Sequence, residues 1–277
     1  MTAGLRKTAA LLALAVMFTG CSAPAESESG AALPDVVGSM DIRYAEQFSV
    51  DYLADGSALA EVADGRRYLI IPDGGEVPEQ LPEDVTVISQ PENIYLASSS
   101  SMDLFSSLDC LGDILASSTP ESGWKLPEIA QAMADEDILY AGKYSSPDIE
   151  LLMSEGCDLA IENMMIYHSP KTAEQIESCG IPVFIERSSA ESHPLGRLEW
   201  VRLYGLMLGK SDEAEKFFSE KCSLLDEVTS RESTGCTAAF FYISSNGSAV
   251  VRKPGDYISK MIELAGGKYV FTAGDLN

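Results

Sequence analysis

The sequence predicts an α/β protein whose parallel-sheet lobes are joined by one long helix, and three observations predict it. From Val85 onward, short apolar runs alternate with segments at helical spacing, the pattern of βαβ units that close a parallel sheet. Residues 181 to 228 then supply an apolar strand, a polar loop and two helices, the second about 28 Å long at roughly 1.5 Å per residue, enough to cross from one lobe to another. Finally, 277 residues with 45% hydrophobic content can bury a core and make one large or two modest domains.

In chain order, residues 1 to 20 read as an export signal: Arg6 and Lys7 precede an apolar run, Ala9 to Phe18, that is too short to span a bilayer. The run ends in Phe18-Thr19-Gly20-Cys21, which resembles the lipobox of bacterial lipoproteins, so Cys21 is expected to be lipidated and to become the first mature residue. Residues 21 to 40 form a flexible tether, rich in Ser, Ala, Glu and Gly as far as Ala32. Residues 41 to 84 make a small β-rich extension. Within it, residues 48 to 71 alternate around Ala54-Asp55-Gly56 and Ala63-Asp64-Gly65-Arg66, the turn chemistry of antiparallel strands. Residues 72 to 84 are rich in proline and acids and make a surface crossing. The whole extension is expected to pack on the outside of the main fold.

The first α/β lobe is expected over residues 85 to 210. Its strands are Ile94 to Ala97, Ile114 to Ala116, Ile138 to Ala141, Leu159 to Ile161 and Ile181 to Ile185. Helices lie between them at Met102 to Leu111, Leu126 to Ala134, Pro147 to Glu155 and Pro170 to Ser178. Right-handed crossovers put every strand's carboxyl end on one edge, where open α/β sheets bind ligands. After the last strand a helix stops at Gly209, a left-handed cap, and Ser211 opens the interlobe helix, residues 211 to 232. Residues 233 to 277 begin a second lobe, with strands at Thr237 to Ile243 and Ala249 to Lys253 and a helix at Tyr257 to Ala265. So few strands leave sheet edges and one face open, and the expectation is that the second lobe is incomplete here and that the natural protein continues beyond Asn277.

The formal net charge of −24 excludes nucleic acid as a partner, because such a surface repels phosphates. Basic residues are scarce, yet Lys143, Arg187, Arg197, Arg252 and Lys253 fall at strand ends or edge loops, where an arginine cluster would recognise carboxylate or phosphate oxygens. Tyr144, Trp200 and Tyr242, with Trp124 and Tyr167, are candidates for rigid amphipathic lining. Ser99 and Ser100 precede a helix and offer hydroxyls and backbone N–H groups, with Ser101 as a helix cap. His193 and His168 are the available imidazoles, as ligands to an incoming iron centre or as residues that order their own loops. No GxSxG, HExxH or P-loop is present, so an enzyme is not predicted. Five cysteines follow Cys21, and their spacing fits no zinc site. Cys157 and Cys179 each stand just before a strand; if those strands are neighbours, the two residues start about 5 Å apart, and a disulfide is expected.

Five segments in order, PENIYLASSSSMDLFSSLDCLGDIL, AGKYSSPDIELLMSEGCDLAIE, IESCGIPVFIERSS, the helix pair through Val228, and YISKMIELAGGKYV, resemble the substrate-binding proteins of ABC importers for iron siderophores, haem and cobalamin. The resemblance covers roughly residues 85 to 277 and implies a two-lobed, periplasmic-binding-protein-like fold. It also implies a lipid-anchored monomer on the outer face of the cell membrane that delivers an iron-siderophore, haem or corrinoid ligand to permease subunits and their ATPase, with no intrinsic cofactor. In that family a glutamate at the position of Glu150 meets arginines of the permease, and a helix N-terminus favours such a carboxylate. A ligand sensor with the same fold and no transport role is the rival reading. Replacing Cys21 with Ala is expected to release the protein into the soluble extracellular fraction; a variant that stays with the membrane through a carbonate wash would remove the lipid anchor.

Overall fold

The computed structural model describes residues 33–276; the expected leader, lipidation site Cys21 and first part of the tether lie outside them. The chain opens with a five-stranded sheet in the order β1 (Val36–Ser39), β2 (Phe48–Leu53), β3 (Ala58–Val62), β4 (Arg67–Ile71), β5 (Val85–Ser89). The first four strands are antiparallel neighbours, and β5 joins parallel to β4, with the proline-rich crossing between them. Asp-Gly turns close the hairpins as expected. Gly56 and Gly65 each take φ of +88°, a conformation that favours glycine.

This sheet does not lie on the outside. Phe48, Val50, Tyr68 and Ile70 share one buried cluster with Trp200, Tyr204 and Phe218, and the Phe48 ring meets Trp200 edge-on at 4.9 Å. The opposite face of β4 buries Leu69 and Ile71 in a smaller cluster with Leu53. Burial on both faces explains the unalternating run of β4, Arg-Tyr-Leu-Ile-Ile, the signature of an inner strand rather than a surface hairpin.

The second sheet is parallel and contains β6 (Ile94–Leu96), β7 (Ile114–Ser117), β8 (Leu139–Tyr140), β11 (Leu159–Asn163) and β12 (Val183–Glu186), in the order β12-β11-β6-β7-β8. All five strands match expected positions. A short hairpin, β9 (Gly142–Lys143) and β10 (Ser146–Pro147), follows β8. The helices are α1 (Met102–Ser107), α2 (Pro127–Ala134), α3 (Ile149–Ser154), α4 (Pro170–Ser178) and α5 (Pro194–Met207). Proline opens α2, α4 and α5, where its missing N–H removes no helical bond. On one face of the sheet Ile94, Leu96 and Phe184 join the large cluster with Phe105 of α1 and Tyr204 of α5. The other face buries Tyr95, Ala160 and Val183 against Leu152 of α3 and Ile176 of α4. The edge strand β12 is closed by the first sheet, since the Ile185 N–H donates to the Tyr68 hydroxyl at 3.2 Å.

The segment between β1 and β2 is held by two carboxylates. Glu199 of α5 accepts the N–H groups of Arg43 (2.9 Å), Tyr44 (2.7 Å) and Ala45 (2.9 Å). Glu191, just before α5, accepts those of Glu46 (2.8 Å) and Gln47 (3.0 Å). Both carboxylates are buried, and each takes a further donor: Arg202 Nη1 for Glu199 and the Trp200 indole N–H for Glu191. Gly196 makes the approach possible, because a Cβ there would sit 2.8 Å from the Tyr44 carbonyl oxygen. Helix α6 (Ser211–Thr229) packs back on α5, with Gly205 facing the Ala214 methyl, and Gly209 between the helices has φ of +67°.

Beyond α6 the chain forms β13 (Thr237–Ala238), β14 (Phe241–Ile243), β15 (Ala249–Val251), α7 (Tyr257–Leu264) and β16 (Lys268–Tyr269). The single strand expected over Thr237 to Ile243 is two: β13 pairs parallel with β16, whereas β14 pairs with β15 in a hairpin. Phe241, Tyr242 and Ile243 are exposed.

The expected Cys157–Cys179 disulfide is absent, both thiols being free. β11 and β12 are neighbours, but Ala160 pairs with Val183, so the register sets Cys157 opposite Gly180 rather than Cys179. Cys157 is turned into the core, with its thiol on the Leu159 carbonyl, and Cys179 ends α4. Thiol titration of the unreduced, denatured protein is therefore expected to find Cys110, Cys157, Cys179, Cys222 and Cys236 all reactive; a count lower by two would restore the pair. Replacing Glu199 with Ala leaves three backbone donors without their acceptor, while Arg202 keeps the Asp41 carbonyl and Glu215, and a loss on the order of 3 kcal/mol is expected in urea unfolding. A loss below about 1 kcal/mol would show that water replaces the carboxylate freely.

Candidate functional site

The carboxyl edge of the parallel sheet gathers a buried polar network. Ser98, two residues past the end of β6, donates its hydroxyl to Glu186 Oε2 at 2.8 Å, and Glu186 Oε1 accepts the Ser188 N–H at 2.6 Å. Ser100 Oγ lies 3.0 Å and Ser101 Oγ 3.3 Å from Ser98 Oγ, and Ser101 Oγ is 2.9 Å from the Tyr204 hydroxyl. Burial raises the Glu186 carboxyl above the usual range, while the bonds from Ser188 and Ser98 and the charge of Arg197 pull the other way. Ser99 and Ser100 are exposed above this network, whereas Ser101 is fully buried and serves the core.

Arg187 and Arg197 leave this edge in different directions. Arg187 donates to Gln47 Oε1 (3.1 and 3.3 Å) and to the Tyr167 hydroxyl (2.9 Å), which itself donates to Asp64 at 2.5 Å. Its donors thus tie the parallel sheet to the first sheet. Arg197, in the first turn of α5, donates to the carbonyls of Ser189 (2.6 Å) and Glu191 (3.3 Å), and its guanidinium lies 3.5 Å from the centre of the Tyr257 ring. Arg252 approaches the same ring at 5.8 Å and Phe240 at 6.0 Å, with Asp256 3.7 Å from its Nη1. Two guanidinium groups therefore converge on one tyrosine that opens α7, where the first lobe faces the C-terminal segment.

The other expected residues spread around this group. Trp200 is core, fully buried with its indole N–H on Glu191, and does not line the edge. His193 caps α5, its Nδ1 accepting the Leu195 N–H at 3.1 Å, and stacks on Tyr44 at 4.7 Å. Burial, then the charge of Lys260, lowers its pKa. Lys143 is exposed on β9, and the adjacent Tyr144 is half-buried against the second cluster. Tyr242 is exposed on the β14–β15 hairpin, and Trp124 packs against the core with its indole N–H on the Thr119 carbonyl. Glu150 is exposed in the first turn of α3, which Asp148 caps. Tyr257 escaped the sequence reading because it looks like a routine first helical residue; its one signal is the cationic pair at Arg252 and Lys253 just ahead of the Pro-Gly-Asp turn. Among the described residues no cluster of His, Cys, Asp or Glu is placed to hold a metal, and no helix is long and apolar enough to cross a membrane.

No family model matches the sequence. An uncharacterized lipoprotein of Methanocaldococcus jannaschii is 24% identical over 234 residues, which cover 78% of this chain and 54% of that protein, so the chain spans about half the length of this relative. Among solved structures, a periplasmic binding protein from Veillonella parvula superposes with a TM-score of 0.56 and 16% identity, covering 72% of this chain and 67% of that one. The periplasmic haem-binding protein HutB of Vibrio cholerae gives 0.55 at 15% identity and 66% of each chain. The petrobactin-binding protein YclQ from Bacillus subtilis gives 0.54 at 14% identity, over 66% of this chain and 62% of that one. The chain has the α/β fold of the periplasmic solute-binding proteins.

Proposed function

We propose that the chain is an extracytoplasmic solute-binding lipoprotein that captures an iron complex, a siderophore or haem, or else cobalamin, between its first lobe and its C-terminal segment and delivers it to an ABC permease. The observation that carries this reading is the convergence of Arg197 and Arg252 on Tyr257 at the carboxyl edge, in a chain of net charge −24. In so acidic a chain a pair of guanidinium groups is a local exception, and beside an aromatic face it suits a ligand that pairs anionic oxygens with a planar or aromatic body. Haem binding by HutB and petrobactin binding by YclQ, two proteins of this fold, support the ligand class. Exposed Glu150 at the start of α3 is the contact proposed for the permease, its charge favoured by the helix N-terminus.

Binding titrations with haemin, a ferric catecholate siderophore and cobalamin test the reading. For whichever ligand binds, Arg197→Ala and Arg252→Ala should each lose about 2 kcal/mol, some thirtyfold in affinity. Arg187→Ala, whose donors serve Gln47 and Tyr167, should change affinity by less than about threefold. Unchanged affinity in both Arg197→Ala and Arg252→Ala would remove this group from the site.

A further inference from the structure

Near the carboxyl edge lies a buried acid that belongs neither to the serine network nor to the proposed capture group. Glu162, next to last in β11, is fully buried, and neither of its carboxyl oxygens has a hydrogen-bond partner. On the same face, Tyr95 of β6 is also fully buried with its hydroxyl unpartnered. The register sets Glu162 opposite Ile185 of β12 and one step beyond the Ile161–Leu96 pair. Tyr95, with Cys157 and Tyr140 beyond it, supplies the titratable groups on this face. The elements that cover the face place their charged and titratable side chains in solvent: Lys143 on the hairpin, Asp148 at the cap of α3 and Glu150 within it, His168 before α4, and Lys171, Glu174 and Glu177 on it. None of these charges acts on Glu162; burial alone pushes its carboxyl up to about 8.

Two short segments at the carboxyl edge follow the strand ends on this face. The next residue, Asn163, accepts the Met165 N–H at 2.8 Å and donates to the Ala97 carbonyl at 3.1 Å, so it fastens the Met164–His168 turn whose Ile166 is buried in the same cluster. On the other side the β9–β10 hairpin is fastened by the Asp148 N–H on the Ala141 carbonyl (2.7 Å) and the Thr172 hydroxyl on the Ser145 carbonyl (3.0 Å).

We propose that Glu162 is a proton-held latch on this edge: protonated, it stays buried and the edge stays closed; ionised, it draws water in past the Met164–His168 turn and the β9–β10 hairpin, and both loosen. The sign follows from linkage. A hydrated carboxyl in the open form titrates near its ordinary 4.5, and the closed one near 8. Between those values the closed form keeps a proton that the open form has lost, so opening gains about tenfold for each unit of rising pH and levels off above about 8. Acid closes the edge and alkali loosens it. The latch's use in regulating capture rests on the solute-binding reading, because Lys143 and Tyr144 sit on the hairpin it controls.

Hydrogen exchange on the ligand-free protein between pH 5 and 9 tests it, read at the amides of Ala141, Asp148, Met165 and Ser169. The ratio of wild-type to Glu162→Gln exchange rates should climb about tenfold per pH unit up to about 8 and then flatten. A ratio that does not change with pH overturns the latch. Should Glu162→Gln not fold, the same wild-type amides are compared with those of β3 in the other sheet, and a pH-independent ratio between the two sets overturns it equally. No ligand enters the measurement, so failure of the solute-binding reading leaves its outcome untouched.

Discussion

Two buried carboxylates binding five consecutive backbone N–H groups hold this architecture together. An extended segment crossing a helix normally leaves its donors to water, but Glu191 and Glu199 take those of residues 43 to 47 in unbroken order. Because each carboxyl group collects several donors at once, the segment is held along its length without a partner strand. Tyr44 can then stack on His193 and meet Phe218 edge-on, and Arg43 can lie 5.0 Å over the Phe218 ring. The first sheet, the start of α5 and the front half of α6 are thereby one packing unit. That unit fixes the direction in which α6 leaves toward the C-terminal segment.

The same rigidity shapes the carboxyl edge. Arg187 is committed to Gln47 and Tyr167, so the first sheet consumes one of the scarce cations in bracing. Arg197 spends two donors on loop carbonyls, which pre-organises its guanidinium against Tyr257 instead of leaving it to sample solvent. A preset guanidinium loses less entropy when an anion arrives. The edge thus divides its arginines between holding the scaffold and facing the C-terminal segment.

Much of the fold was legible in the sequence. The strands of the parallel sheet and the helices between them follow from periodicity and from prolines and glycines at element ends, which are local signals. What was not legible depends on partners far away in the chain. The first sheet was read as peripheral because its Asp-Gly turns are loud and the inner character of Tyr68 to Ile71 is quiet until α5 covers it. Trp200 was read as a lining residue because an aromatic beside charged residues looks amphipathic, yet Glu199 and Glu191 are buried with it as hydrogen-bond acceptors. The disulfide failed on a register offset of one residue, which spacing alone cannot reveal. In the candidate site, the arginines stand out in the sequence by their scarcity, whereas Tyr257 is seen between Arg197 and Arg252 only once the C-terminal segment is in place.

The serine network at the edge has a direction. Ser98 has one hydroxyl proton and gives it to Glu186, so Ser98 Oγ can meet its two serine neighbours only by accepting from them. Ser100 must therefore point its own proton inward, and the oxygen it shows to solvent offers lone pairs. Ser101 is bound the same way, which leaves the Tyr204 hydroxyl as its donor. Viewed from outside, the network shows one lone-pair oxygen, that of Ser100, on the same edge that Arg197 leaves. On the proposed reading, a guest carrying hydroxyl or N–H groups at one end and anionic oxygens at the other would meet complementary groups at both ends in one orientation only.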